Sequence, residues 1–215
     1  MRIGKWEEQQ RERPKVMCEL EELENVFRFK YLGTLFTANG DQSFDVQARI
    51  AMAMRRCGQL GHMFNSEHLG QNLKIRLYVA AVLSLLTYGC ETWLLDQACM
   101  RTLNGANSQM LSRVTGESIR SQAKSETAVY DLVKNIRKRR LRWLGKILRG
   151  DETRLLFETM KVQYYEHVEG VKGTLFMDVP TNNNNNSFEE LVLSSNDTIY
   201  WKSLEQRIPS HLRSN

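Results

Sequence analysis

From Val26 the chain alternates aromatic or branched residues with polar ones, Val-Phe-Arg-Phe-Lys-Tyr-Leu-Gly-Thr-Leu-Phe-Thr-Ala, and then reaches Asn39-Gly40. Period-two alternation ending at Asn-Gly predicts a half-buried strand, broken or bulged at Gly33, followed by a tight turn. The period then changes. Val46, Ile50, Met54, Cys57 and Gly61 recur at helical spacing, with Arg49, Arg55 and Arg56 off that line. This predicts an amphipathic helix of about five turns, with Ser43 as candidate N-cap. Residues 73–93 are apolar nearly all round, the pattern of a central buried helix, and Gly89 is placed to bend or end it. Asp96 is placed to cap a further helix that runs through Val114 and closes at Gly116. Ser125 opens another, and a basic segment continues or follows it up to Gly150.

The flanks carry weaker signals. Residues 1–25 hold five basic and seven acidic side chains among scattered apolar ones, which predicts a frayed lead-in with a short helix at most. Beyond Gly150, residues 153–168 have the apolar content of one more helix, and residues 172–179 read as a short extended piece. Asn182–Asn186 form a low-complexity linker, and Ser187-Phe-Glu-Glu190 is a capping box opening a last helix anchored by Tyr200-Trp201. The predicted fold class is mainly α: a helical bundle preceded by one small β-hairpin, with flexible termini. The expected divisions are a lead-in (1–25), a hairpin (26–40), a helical body ending in the basic helix (41–150) and a weakly structured tail (151–215).

Composition narrows the class. The 215 residues are 41% hydrophobic with a mean hydropathy of −0.47, and their 9% aromatic content argues against wholesale disorder. The uncharged stretch at 77–90 has fourteen residues, fewer than the roughly 20 needed to cross a bilayer. The N-terminus becomes charged where the apolar part of a signal peptide would begin, so the expected location is intracellular, nucleus or cytoplasm, with no membrane partner. Cys18, Cys57, Cys90 and Cys99 lie far apart, and the grouping of Cys57 with His62 and His68 lacks a second close pair. Reduced, mostly buried thiols are expected, with no metal and no cofactor.

Catalytic patterns are missing from the sequence. It has no adjacent aspartates, no Asp-x-Asp, no glycine-rich phosphate loop, no H-E-x-x-H and no G-x-S-x-G. No catalytic residue is therefore assigned. Charge is more informative. The net charge is only +5, yet residues 134–149 hold eight basic side chains and no acidic one. At 100° per residue, Lys138, Arg142, Lys146 and Arg149 fall within about 80° of one another, with Arg139 just beyond. Val133, Leu141, Leu144, Ile147 and Leu148 cover the other side. Such a helix can pack one face on a core while the other tracks a phosphate backbone, with Trp143 at the border either stacking on a base or sealing the core edge. Arg137-Lys-Arg-Arg140 is also a candidate nuclear-localisation run.

The residues in these elements carry a resemblance. Phe29-Lys-Tyr-Leu-Gly33 followed by Phe36-Thr-Ala-Asn-Gly-Asp41 resembles the segment just after the catalytic aspartates in reverse transcriptases of non-LTR retrotransposons. Ala48-Arg-Ile50, Arg56-Cys-Gly-Gln-Leu60, Lys74-Ile-Arg-Leu-Tyr78, Leu86-Thr-Tyr-Gly-Cys-Glu-Thr-Trp93, Leu111-Ser-Arg-Val-Thr-Gly116 and Arg140-Leu-Arg-Trp-Leu-Gly145 continue it in order. The distal Leu175-Phe-Met-Asp-Val-Pro180 and Ser187-Phe-Glu-Glu-Leu191 look like the tail of RTE-type LINE elements. The resemblance implies that Phe29, Tyr31, Leu32 and Gly33 form the primer grip at the palm edge. It implies that the helices from Asp41 to Gly116 form the thumb that holds a template–primer duplex. Arg142, Trp143 and Gly145 match a post-thumb motif whose role is structural or RNA-binding.

The family's aromatic-Ala-Asp-Asp loop, fingers and endonuclease domain have no counterpart here, and Arg13-Pro-Lys-Val-Met17 looks like a decayed Lys-Thr-Lys-Val-Met segment. Nucleotidyl transfer needs those carboxylates to hold metal ions. The expectation is thus a truncated, reverse-transcriptase-like chain, no enzyme by itself, that retains contact with the RNA or DNA backbone. The alternatives are a retrotransposon relic without activity, or a subunit acting in trans with a polymerase palm and fingers.

Overall fold

The computed structural model describes residues 16–18, 21–93, 96–116, 131–168, 176, 179 and 187–208. Two small antiparallel strand pairs precede the helices. β1 (Val16–Cys18) pairs with β2 (Glu21–Leu23), so the described part of the lead-in is an extended pair where the sequence predicts a frayed segment with a short helix at most. β3 (Arg28–Tyr31) pairs with β4 (Thr34–Thr37), with Phe29 opposite Phe36 and Tyr31 opposite Thr34. The chain reverses at Leu32-Gly33, both with positive φ (47° and 83°), the signature of a two-residue primed turn. Gly33 is thus the hairpin turn itself. Asn39-Gly40, the stronger turn signal in sequence, leads instead from β4 into the first helix.

Helix α1 (Ser43–Gln59) is capped differently from the expectation. Ser43 is already helical, and the preceding Asp41 carboxylate accepts from its backbone N–H (2.8 Å) and its hydroxyl (2.9 Å). After α2 (Gly61–Phe64) comes a continuous rod: α3 (Gln71–Tyr78), a π-helical turn (Val79–Leu83) and α4 (Ser84–Leu86). The rod ends before Gly89, whose φ of 72° departs from the helix as expected. It is not buried all round. Tyr78, Val82 and Leu86 are buried, while Leu73 and Val79 are exposed.

The hub is α5 (Gln97–Thr115), which packs on α1, α2 and α3 and on the later basic helix. Asp96 accepts from the Cys99 N–H (2.7 Å) and Gly116 closes the helix at φ 71°, both as predicted. Its buried face, including Leu103, Met110, Leu111 and Val114, has strict helical spacing, so a helix of ordinary hydropathy takes the centre while the more apolar rod lies at the side. Within this core the Tyr78 hydroxyl donates to Asn107 Oδ1 (2.7 Å), which satisfies both buried polar groups.

The basic helix, α6 (Leu132–Leu148), starts at Asp131, whose carboxylate accepts from the Lys134 N–H (2.9 Å). The predicted Ser125 start lies outside the described residues. Leu132, Val133 and Ile136 join the first core, whereas Leu141, Leu144 and Leu148 belong to a second. At 100° per residue the buried face turns by about 110° between these two sets. One helix therefore serves two cores.

The second core corrects the expectation of a weakly structured tail. α7 (Leu155–Val168), α8 (Phe188–Asn196) and α9 (Thr198–Arg207) bring Phe157, Met160, Tyr164, Phe188, Leu191, Trp201 and Leu204 against α6. Phe157 and Phe188 meet edge to face at 5.5 Å. The predicted capping box is present, with the Glu190 N–H donating to the Ser187 hydroxyl (3.2 Å) and the Ser187 N–H to Glu190 Oε2 (3.1 Å). The asparagine run lies outside the described residues, as does most of the 172–179 piece, of which Phe176 and Val179 are buried in this core.

Candidate nucleic-acid interface

The outward face of α6 holds the predicted cations, but the fold brings acceptors to three of them. Lys138 is half-buried and Lys146 exposed; among the described residues no carboxylate pairs with either. Arg139 turns back onto the rod's end. Its Nη2 lies 2.7 Å from Glu91 Oε1, its Nε donates to the same oxygen (2.9 Å), and its Nη1 donates to the Thr87 hydroxyl (2.6 Å). Arg142 sets both Nε and Nη2 on Glu205 Oε2 of α9, each at 2.7 Å. Arg149 donates to the Ser195 carbonyl of α8 (2.8 Å), a neutral acceptor. Residues 134–149 contain no acid of their own. Glu91 and Glu205 arrive from 48 and 63 residues away and take up two of the three arginines on the face.

Trp143 is half-buried and packs part of its ring on the edge of the second core. Arg140 is buried and Arg139 is paired, so the run 137–140 is not presented as an exposed linear signal. Gly145 has a packing role. The indole of Trp201 lies across it and donates from Nε1 to the Leu141 carbonyl (3.1 Å), an approach that any Cβ at 145 would block.

The hairpin residues divide into two groups. Phe29, Tyr31 and Leu32 are exposed, while the main chain at the turn is anchored to the helices. The Tyr88 hydroxyl donates to the Leu32 carbonyl (3.1 Å), and the Arg49 guanidinium donates to the Gly33 carbonyl and stacks over the Tyr88 ring at 4.6 Å. Arg49, expected off the buried line, is buried beside Asp45 (3.7 Å). Asp45 in turn accepts from the Leu35 N–H (2.9 Å) and the Trp93 indole (3.0 Å). A charge at that helical position reads as solvent-facing, because the sequence does not show which acceptors a hairpin 16 residues upstream will supply. The only local hint was the i, i+4 spacing of Asp45 and Arg49.

The two buried thiols, Cys57 and Cys90, are poor nucleophiles. Burial pushes Cys90 up to about 12 and also raises Cys57, against the opposing pull of Arg113. Cys18, by contrast with the expectation of burial, is exposed. Cys57 lies in the core while His62 faces out, so the fold does not bring that pair together. Among the described residues no cluster of His, Cys, Asp and Glu could hold a metal ion, and no helix is long and apolar enough to cross a membrane. The chain matches no protein-family model, no curated protein and no solved structure.

Proposed function

We infer that the chain binds the sugar–phosphate backbone of RNA or DNA along α6, as the thumb and post-thumb part of a non-LTR retrotransposon reverse transcriptase would. The observation that carries this reading is the edge formed by Lys138, Lys146 and Arg149. Among the described residues it meets no carboxylate, and the helix behind it is buried in two cores. A cationic edge on a rigid rod suits sequence-tolerant phosphate contact. The segments that bear the resemblance also meet in space: the Leu32-Gly33 turn is held by Arg49 and Tyr88, and the Leu86–Trp93 stretch is joined to α6 through Glu91 and Arg139. These 215 residues contain no adjacent aspartates, so the proposed role is holding nucleic acid and not polymerising it.

The test is a titration of an oligouridylate and an unrelated duplex across salt. Changing Lys138, Lys146 and Arg149 together to Gln should flatten the log-affinity against log-salt slope by about 2 for the single strand and about 2.7 for the duplex. An unchanged slope would refute contact by this face and leave the relic alternative in front.

A second reading, a subunit acting in trans with a polymerase palm, is favoured by the bare face of the hairpin. Phe29, Tyr31, Leu32 and Phe36 are all exposed there, a cluster of large apolar side chains on a two-stranded ribbon with open edges. Reconstitution with a separately expressed palm fragment tests it, the readout being primer extension that neither part gives alone.

A further inference from the structure

We propose that Glu205 is a built-in competitor for phosphate at Arg142, so that the nucleic-acid face of α6 is held below its full cationic strength by the chain's own C-terminal helix. The inference rests on the binding reading above and adds its regulation.

The placement of Glu205 follows from packing. Trp201 of α9 lies against Gly145, donates from its indole to the Leu141 carbonyl at 3.1 Å and is buried in the second core. Glu205 is four residues further along, on the same side of α9. The anchor therefore delivers its carboxylate to α6, where Nε and Nη2 of Arg142 both close on Oε2 at 2.7 Å. Glu205 is mostly sheltered (13% side-chain exposure) while Arg142 stays open (59%). The competitor is thus pre-positioned, and the cation it holds lies on the path of an incoming strand. A phosphate oxygen makes the same charge-assisted contact with a guanidinium edge as this carboxylate does, and the two exclude one another there. Arg139 is held by Glu91 and Thr87 at the other end of the face, which leaves the Lys138–Lys146–Arg149 edge to make first contact.

The experiment uses the full chain and a fluorescent oligouridylate, with affinity measured by anisotropy from low to moderate salt. Glu205→Gln keeps the shape and removes the charge. It should raise low-salt affinity about two- to five-fold, the usual range for an exposed ion pair, and steepen the salt slope by about 0.7, one added phosphate contact. Adding Arg142→Gln to that variant should cancel the steepening. A Glu205→Gln protein with wild-type affinity and slope would overturn the proposal, provided Lys138→Gln/Lys146→Gln still flattens the slope. If the lysine variant changes nothing either, the binding face is wrong and the competitor falls with it. A second route needs no change at Glu205. In the wild-type background, Arg142→Gln should alter the slope far less than Lys146→Gln, because Arg142 holds a carboxylate and not a phosphate. Equal falls of about 0.7 would overturn the proposal.

Discussion

Replacing Gly145 by alanine sets two physical effects against each other. Gly145 lies in the interior of α6, where helix propensity alone favours alanine by about 1 kcal/mol. Packing opposes it. An added Cβ would overlap the Trp201 indole nitrogen, lie 2.8 Å from Cε2 of that ring, and come within 3.1 Å of Arg149 Nη1. Arg149 can swing into solvent. The indole cannot, because Trp201 is 3% exposed and wedged among second-core side chains. Overpacking of this kind costs about 1–3 kcal/mol. If the ring is displaced from the Leu141 carbonyl, a buried N–H loses its acceptor at a further cost of about 1–3 kcal/mol.

With the lost acceptor included, the expected net effect is destabilisation by about 1–5 kcal/mol, a Tm lower by at least about 2 °C for a chain of this length. Gly105 supplies the matched control. It lies inside α5, is exposed, and a Cβ there meets nothing within 4 Å, so Gly105→Ala should stabilise by about 0.5–1 kcal/mol. Thermal melts followed by circular dichroism, run on both variants beside the wild type, give the sign directly. A Gly145→Ala protein as stable as the Gly105→Ala protein would refute the placement of Trp201 on α6.

Three further outcomes are expected. Arg49→Met removes the buried partner of Asp45 and the donor to the Gly33 carbonyl; it should cost about 3–5 kcal/mol by urea titration and speed amide exchange in residues 28–37, whereas near-native stability would mean the guanidinium is not buried there. Leu32 is 75% exposed with φ 47°, where its Cβ crowds the following carbonyl oxygen and Asn is better tolerated, so Leu32→Asn should raise Tm by an amount worth about 0.5–1 kcal/mol, and a lowered Tm would argue against the primed turn. Cys90 titrates near 9 when free and at about 12 when buried, so the folded state keeps its proton longer; its contribution is intact below about pH 9 and is lost between there and about pH 12, at up to about 1.4 kcal/mol per pH unit. Cys90→Ala should make that alkaline decline shallower in urea midpoints, and an identical pH profile would contradict the burial.

The elements whose cause is local were legible in the residues. The capping box at Ser187, the Asp96 cap, the Gly116 stop and the buried side of α6 each depend on groups within a few residues of one another, and they stand where the pattern puts them. The mainly α class follows from the same short-range periodicity. Local pattern misleads wherever a distant part of the chain decides. The Asn39-Gly40 signal outranked Leu32-Gly33 as a turn, yet the reversal falls at Leu32-Gly33, where Tyr88 and Arg49 hold the two carbonyls from 56 and 16 residues away. The rod at 71–86 is the most apolar segment, but burial depends on which faces have neighbours, and α5 has them on more sides.

The cations of the candidate site show the same division. That they share a face was determined by the helical repeat, 3.6 residues per turn, and needs no tertiary knowledge. Which of them remain available was decided by packing alone. Trp201 could sit beside α6 only because position 145 has no side chain, and that contact sets Glu205 on Arg142. Coulomb attraction acts through space without regard to sequence separation, so a run of cations with no acid among them is still met by carboxylates once the chain folds.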